Sequence, residues 1–167
     1  MLITAKKMTI YHQEDETKPP EIIDPGMVGE VAGINPDIIH TLTEKGFIPV
    51  IAPVGLGENG ETYNINADVV ASKMASALGA ERLMLLTDVD GVLDEDKKLV
   101  SSVDAKVIRE MIRSGQIAGG MIPKVECALD CLAYGVKKSH ILNGRVPHAV
   151  LLEMFTNSGI GTQVFTG

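Results

Sequence analysis

The chain has 167 residues, 45% of them hydrophobic and 22% charged, enough for one domain with a packed core. Against 22 acidic residues stand 15 basic ones, and the net charge of −7 excludes nucleic acid as the main partner, because no broad cationic surface is available to neutralise phosphates. Residues 1–7 are too short and too polar for a signal peptide, and no apolar stretch approaches a membrane span, so a cytoplasmic protein with no membrane partner is expected.

Residues 2–12 alternate weakly and read as strand, and the polar stretch from His12 to Pro20 reads as loop. Residues 22–31 are apolar but broken by Pro25, Gly26 and Gly29, which predicts short strand pieces and turns. Asn35-Pro36-Asp37 opens a helix with Ile38, Ile39 and Leu42 inward and Gly46 as its stop. Residues 47–52 form an apolar run that reads as a buried strand, and residues 55–60 a glycine-rich loop. A helix follows with Val69, Val70, Met74 and Leu78 inward, ending at Gly79. Residues 83–86 are the next buried strand. Ser101 to Asp104 caps a helix running to about Arg113, and a further helix runs from about Ile122 to Tyr134, stopped by Gly135. Residues 139–142 read as strand, 147–155 as helix and 162–165 as a final strand.

Strand and helix alternate, and the strands are near-continuous apolar runs. That pattern predicts an α/β fold: an open, mostly parallel sheet sandwiched between helices in three αβα layers, with residues 1–167 as a single domain. Ligands in such sheets bind beyond the carboxyl ends of the strands, which directs attention to the loops after 47–52 and 83–86. The two cysteines, Cys127 and Cys131, lie four apart on a helix without zinc or redox spacing, so buried free thiols are expected.

Two short runs carry the chemistry. In Gly119-Gly120-Met121-Ile122-Pro123-Lys124, Pro123 suits a first helical turn and the glycines admit close backbone approach. The helix start offers free N–H groups and a positive dipole end, and Lys124 adds a cation suited to a transferring phosphoryl group; a plain surface lysine explains the residue equally well. In Thr87-Asp88-Val89-Asp90-Gly91-Val92-Leu93 a tight turn after a strand can clasp a base or ribose. Its aspartates do not make an EF-hand, whose glycine stands sixth and glutamate twelfth, and no metal site is expected. Asn64 can donate and accept toward a polar ligand, and Asp68 either holds a lysine or simply favours its helix dipole. His148 and Glu153 lack zinc-protease spacing, and Tyr134, His140 and Arg145 form no recognisable triad.

These runs, with Tyr63-Asn64-Ile65-Asn66-Ala67-Asp68, Leu142-Asn143-Gly144-Arg145-Val146-Pro147-His148 and Gly26-Met27-Val28-Gly29-Glu30-Val31, resemble the N-acetylglutamate kinases of the amino acid kinase family. The resemblance covers essentially the whole chain in one register. It implies transfer of the ATP γ-phosphate to the side-chain carboxylate of N-acetyl-L-glutamate in arginine biosynthesis. It also implies Asn64 on acetylglutamate, Lys124 stabilising the transition state and Asp68 orienting the catalytic lysines. Residues 87–93 (Thr87, Asp88, Val89, Asp90, Gly91, Val92, Leu93) with Gln116, Ile117 and Ala118 would hold the nucleotide, and Mg2+ would ride mainly on its phosphates. His148 and Glu153 become candidates for an arginine effector, and a homo-oligomer is expected. The family's chains are longer. This one resembles the nucleotide-binding lobe with part of the substrate site, lacking the N-terminal glycine-rich loop and its lysine, and little turnover is expected of it alone. Lys6 and Lys7 are not assigned to that missing lysine. Alternatives are an aspartate, glutamate 5- or carbamate kinase, or a non-catalytic nucleotide- or arginine-binding module.

Overall fold

The computed structural model describes residues 1–12 and 21–167; the loop expected from His12 to Pro20 therefore lies, beyond His12, outside the described residues. The chain divides into two compact units, Met1–Ala77 and Leu78–Gly167. The architecture is α/β, with mixed sheets and helices in an αβα arrangement. No helix among the described residues is long and apolar enough to cross a membrane.

The first unit contains β1 (Ile3–Lys7), β2 (Ile10–His12), β3 (Glu21–Ile23), β4 (Gly29–Ile34), α1 (Asp37–Glu44), β5 (Val54–Leu56), β6 (Thr62–Asn64) and α2 (Ala67–Ala77). Its main sheet runs β4-β1-β5-β6, with β1 antiparallel to β4 and parallel to β5, and β5 antiparallel to β6. Ile3, Ala5, Tyr63 and Ile65 are buried with Val70 and Met74 of α2, and α2 packs on β4. Asn66 caps α2, its Oδ1 accepting from the backbone N–H of Asp68 and Val69, the ordinary use of asparagine at a helix start.

Three expectations change here. Residues 47–52 are not a strand: among the described residues they join no ladder, and Ile48 and Val50 are 91% and 97% exposed. Pro49 and Pro53 remove two of the amide donors that a ladder needs, and regular pairing starts only at Val54. Of residues 55–60, read as one loop, Gly55 and Leu56 belong to β5, and residues 57–60 lie in the turn of the β5–β6 hairpin. Gly55 is there for space, since a Cβ would come within 2.7 Å of the Ala5 methyl. In α1 only Ile39 is buried; Ile38 lies exposed.

The second unit contains β7 (Arg82–Thr87), β8 (Ser102–Asp104), α3 (Ala105–Arg113), α4 (Met121–Ala133), β9 (Lys138–Asn143), α5 (Ala149–Phe155) and β10 (Thr162–Phe165). Strand order is β7-β9-β10-β8, with β7–β9 and β8–β10 parallel and β9–β10 antiparallel. Residues 102–104, expected only as a helix cap, do both jobs: they pair with β10, and Asp104 then caps α3 by accepting from Lys106 N at 2.7 Å. The core is Leu83, Leu85, Ile108, Val125, Ala128, Cys131, Ile141, Leu142 and Val164, with α4 lying across β7, β9 and β10. Cys127 and Cys131 are buried and unpaired with each other, and burial pushes the Cys131 thiol up to about 11.

A polar clamp sits in this core. His140 Nδ1 lies 2.7 Å from Glu153 Oε1, with both side chains at most 5% exposed. Glu153 Oε2 accepts from the amides of Ile160 (2.8 Å) and Gly161 (3.1 Å). Burial pushes the Glu153 carboxyl up, but those amides and His140 outweigh it, and the group sits below its ordinary value. A carboxylate depressed on folding stabilises the fold above its unfolded pKa, about 4.3. That contribution drains away as pH falls through the folded value. In urea unfolding followed across pH, Glu153→Ala is expected to lose about 3 kcal/mol at neutral pH. Glu153→Gln is expected to flatten the acid limb below about pH 4.3; an unchanged acid limb would show that the clamp is not the source.

Candidate functional site

Parallel register carries β7 and β9 to a common end, pairing Arg82 with Lys138 and Thr87 with Asn143. The two loops that leave the sheet are then tied together. Gly144 N donates to Thr87 O at 2.8 Å, Asn143 Nδ2 donates to Asp90 Oδ1 at 2.8 Å, and an Arg145 guanidinium nitrogen lies 3.5 Å from Asp88 Oδ2. Thr87 Oγ1 donates to Asp88 Oδ1 at 3.3 Å. From below, the buried Thr162 hydroxyl accepts from Val92 N at 2.8 Å. Gly91 has φ +147°, and a Cβ there would fall 2.5 Å from Thr162 Oγ1. The turn thus needs glycine on both conformational and steric grounds.

Beyond the turn, a small hairpin continues the chain: Leu93 bridges Leu99, Asp94 N donates to Lys98 O, and Val100 N donates to Val92 O. Its base faces the segment between α3 and α4. Between them lies a cleft of 710 Å³ lined by Val89, Gly91, Val92, Leu93, Gln116, Ile117, Ala118 and Met121, with Asp94, Glu95 and Lys97 from the hairpin. Its volume lies within the range of about 300–1,000 Å³ usual for small-molecule sites. Gln116 Nε2 donates to Leu93 O at 3.2 Å and joins the two lips.

The structure therefore brings most of the expected nucleotide residues to one cavity. Thr87, Asp88 and Asp90 do not line it; Asp90 instead meets Asn143, and Asp88 meets Thr87 and Arg145. Met121 opens α4 at the cleft, and Lys124, half-buried, stands three residues on; that spacing puts the two on one helix face. Asn64 and Asp68 belong to the other unit, at the end of β6 and in the first turn of α2. Lys6 pairs with its cross-strand neighbour Glu30 at 2.9 Å, and Lys7 Nζ donates to Asp24 Oδ2 at 2.7 Å. His148, at φ +60°, precedes α5 and is exposed, whereas Glu153 has both oxygens engaged in the clamp.

Sequence reasoning gave no role to Asn143, Arg145 or Thr162. The Asn-Gly pair at a strand end was a turn signal, but its partner lies 53 residues away, and the Thr162–Val92 bond spans 70.

A model of the amino acid kinase family matches residues 2–143, and the chain belongs to that family. Within it, the chain is 58% identical to the acetylglutamate kinase of Solidesulfovibrio magneticus and 53% identical to that of Syntrophobacter fumaroxidans, each over 163 residues and 98% of this chain. Those matches cover 54% and 55% of the relatives, so the chain spans about half the length of the curated relatives it matches. Among solved structures, N-acetylglutamate synthase from Neisseria gonorrhoeae, complexed with coenzyme A and L-arginine, superposes with a TM-score of 0.84 at 26% identity. That match covers 99% of this chain and 37% of the other. A Streptococcus mutans protein, smu.665, gives 0.74 at 30% identity, covering 99% and 57%.

Gly91→Ala is expected to destabilise the chain by about 3 kcal/mol, combining backbone strain with overpacking. Thermal unfolding checks the loss; a midpoint within a degree or two of wild type would show that the turn relaxes freely.

Proposed function

We propose that the Leu78–Gly167 unit binds ATP in the cleft between residues 89–93 and 114–121. The chain then serves, together with the portion of the family it does not span, in phosphorylating the side-chain carboxylate of N-acetylglutamate. One observation carries this: the turn after β7, the segment 114–118 and the start of α4 border a single cavity. The lips offer apolar side chains and backbone polar groups suited to a base and ribose. The start of α4 offers the positive end of a helix dipole suited to phosphates.

The acceptor carboxylate needs no general base, since a glutamate side chain, which ordinarily titrates near pH ~4.3, is ionised at neutral pH. What the transfer requires is alignment and positive charge between two anions. Lys124 is assigned that charge, Asn64 the acetylglutamate, and Asp68 the orientation of a catalytic amine. Mg2+ enters on the nucleotide phosphates. Identity of 53–58% to acetylglutamate kinases favours this acceptor over aspartate, glutamate or carbamate. The same reading makes the protein a cytoplasmic, homo-oligomeric enzyme of arginine biosynthesis. For an arginine effector, exposed His148 is the stronger of the two candidates, because the Glu153 carboxylate faces inward.

Calorimetric titration of the chain with ATP and AMP tests the assignment. Lys124→Met is expected to weaken ATP about tenfold and AMP far less, because the lost charge addresses the terminal phosphates. Equal loss for both nucleotides would place the lysine elsewhere, and absence of ATP heat from wild type would overturn the site. In a coupled ADP-release assay with acetylglutamate the chain alone is expected to be nearly inactive. Binding without transfer even after the remaining part of a relative is added would favour a non-catalytic nucleotide-binding module.

A further inference from the structure

We propose that Asn143 is a positioning residue for the nucleotide, holding the Asp88–Gly91 turn from the end of β9 without touching the ligand itself. The proposal rests on the ATP reading above and adds a residue that reading does not use. Asn143 is the last residue of β9 and the register partner of Thr87. It is half-buried and absent from the cleft lining. Its amide group works in both directions: Nδ2 donates to Asp90 Oδ1 at 2.8 Å, and Oδ1 accepts from Arg145 N at 3.0 Å.

Only an amide of this length serves both ends. Aspartate keeps the acceptor for Arg145 N but sets a second carboxylate against Asp90; alanine removes both bonds; glutamine adds a methylene and shifts the donor. On its inner flank the same turn is held by the Thr162 hydroxyl on Val92 N. Of the cleft-lining residues, Gly91 thus lies between the ties at Asp90 and Val92, and Val89 stands just before the first of them. Releasing the tie at Asp90 lets the lip move while the core beneath it stays in place. The result is a loss of pre-ordering for the ligand rather than a loss of contact with it.

The test compares ATP affinity, thermal unfolding and circular dichroism across variants of the full chain. Asn143→Ala is expected to weaken ATP three- to tenfold with an unfolding midpoint near that of wild type. Asn143→Asp is expected to weaken it as well, because a second carboxylate then faces Asp90. At pH 8 the exchange Asn143→Asp with Asp90→Asn, which reverses donor and acceptor, is expected to bind more tightly than Asn143→Asp alone. Gln163→Ala, which removes a bond to Ser102 on β8, serves as a control with unchanged affinity. Should Asn143→Ala fail to fold, the exchange variant decides. Affinity of Asn143→Ala within twofold of wild type, or no rescue by the exchange, overturns the role of Asn143 while leaving the ATP site intact. A wild-type chain that binds no ATP overturns the site and this assignment together.

Discussion

β7 and β9 run parallel and in unbroken register, so Thr87 and Asn143 leave the sheet side by side. Parallel neighbours must be joined by a crossover, because a tight turn cannot reverse the chain between them. Here the crossover contains β8, α3 and α4. The same requirement that separates the strands in sequence therefore delivers the segment before α4, and the start of α4 itself, to the ends of the strands. β10 closes the arrangement by pairing with both β9 and β8, and it places the Thr162 hydroxyl under the turn. The cleft is in this sense a by-product of strand order: moving β10 by one register step would remove the acceptor for Val92 N and turn the strand's faces over.

The electrostatics of the chain look unfavourable for a polyphosphate until scale is considered. A net charge of −7 acts over distances on which salt screens it, with a Debye length of about 8 Å at physiological ionic strength. Under the proposed function, the positive end of α4 and Lys124 act at shorter range, where the effective dielectric constant is lower. Of the acidic side chains nearby, Asp90 accepts from Asn143 and Asp88 faces Arg145, while Asp94 and Glu95 line the cleft. The carboxylates of the turn at Asp88 and Asp90 are thereby engaged by residues that do not line the cleft.

Legibility in the sequence followed the range of the interaction. α4 and its stop at Gly135, β9 and β10 were readable because periodicity and glycine punctuation are local signals, and Gly135 does take a left-handed φ of +98°. The turn at 88–91 was readable as a turn, and its neighbours 116–118 were named through resemblance. What holds that turn was not readable, because the bonds from Asn143 and Thr162 join residues 53 and 70 positions apart. The His140–Glu153 clamp was missed for a related reason. Its residues face each other only once α5 has packed on β9. The run at 47–52 failed in the opposite way. Its apolar composition signals a strand that would gain from burial, but composition cannot supply a pairing partner, and two prolines at 49 and 53 work against a ladder.

The candidate residues fall into the two units by chemical task. Those suited to a nucleotide lie in Leu78–Gly167; Asn64 and Asp68, suited to the acceptor and to an amine, lie in Met1–Ala77. Each set is anchored by its own sheet. Asn66 caps α2 and fixes where Asp68 begins, while β6, paired with β5, fixes Asn64. Phosphoryl transfer between two anions has little covalent work for side chains and depends on bringing reactants into line. Under the proposed function, the residues assigned to each reactant are held by the packing of their own unit.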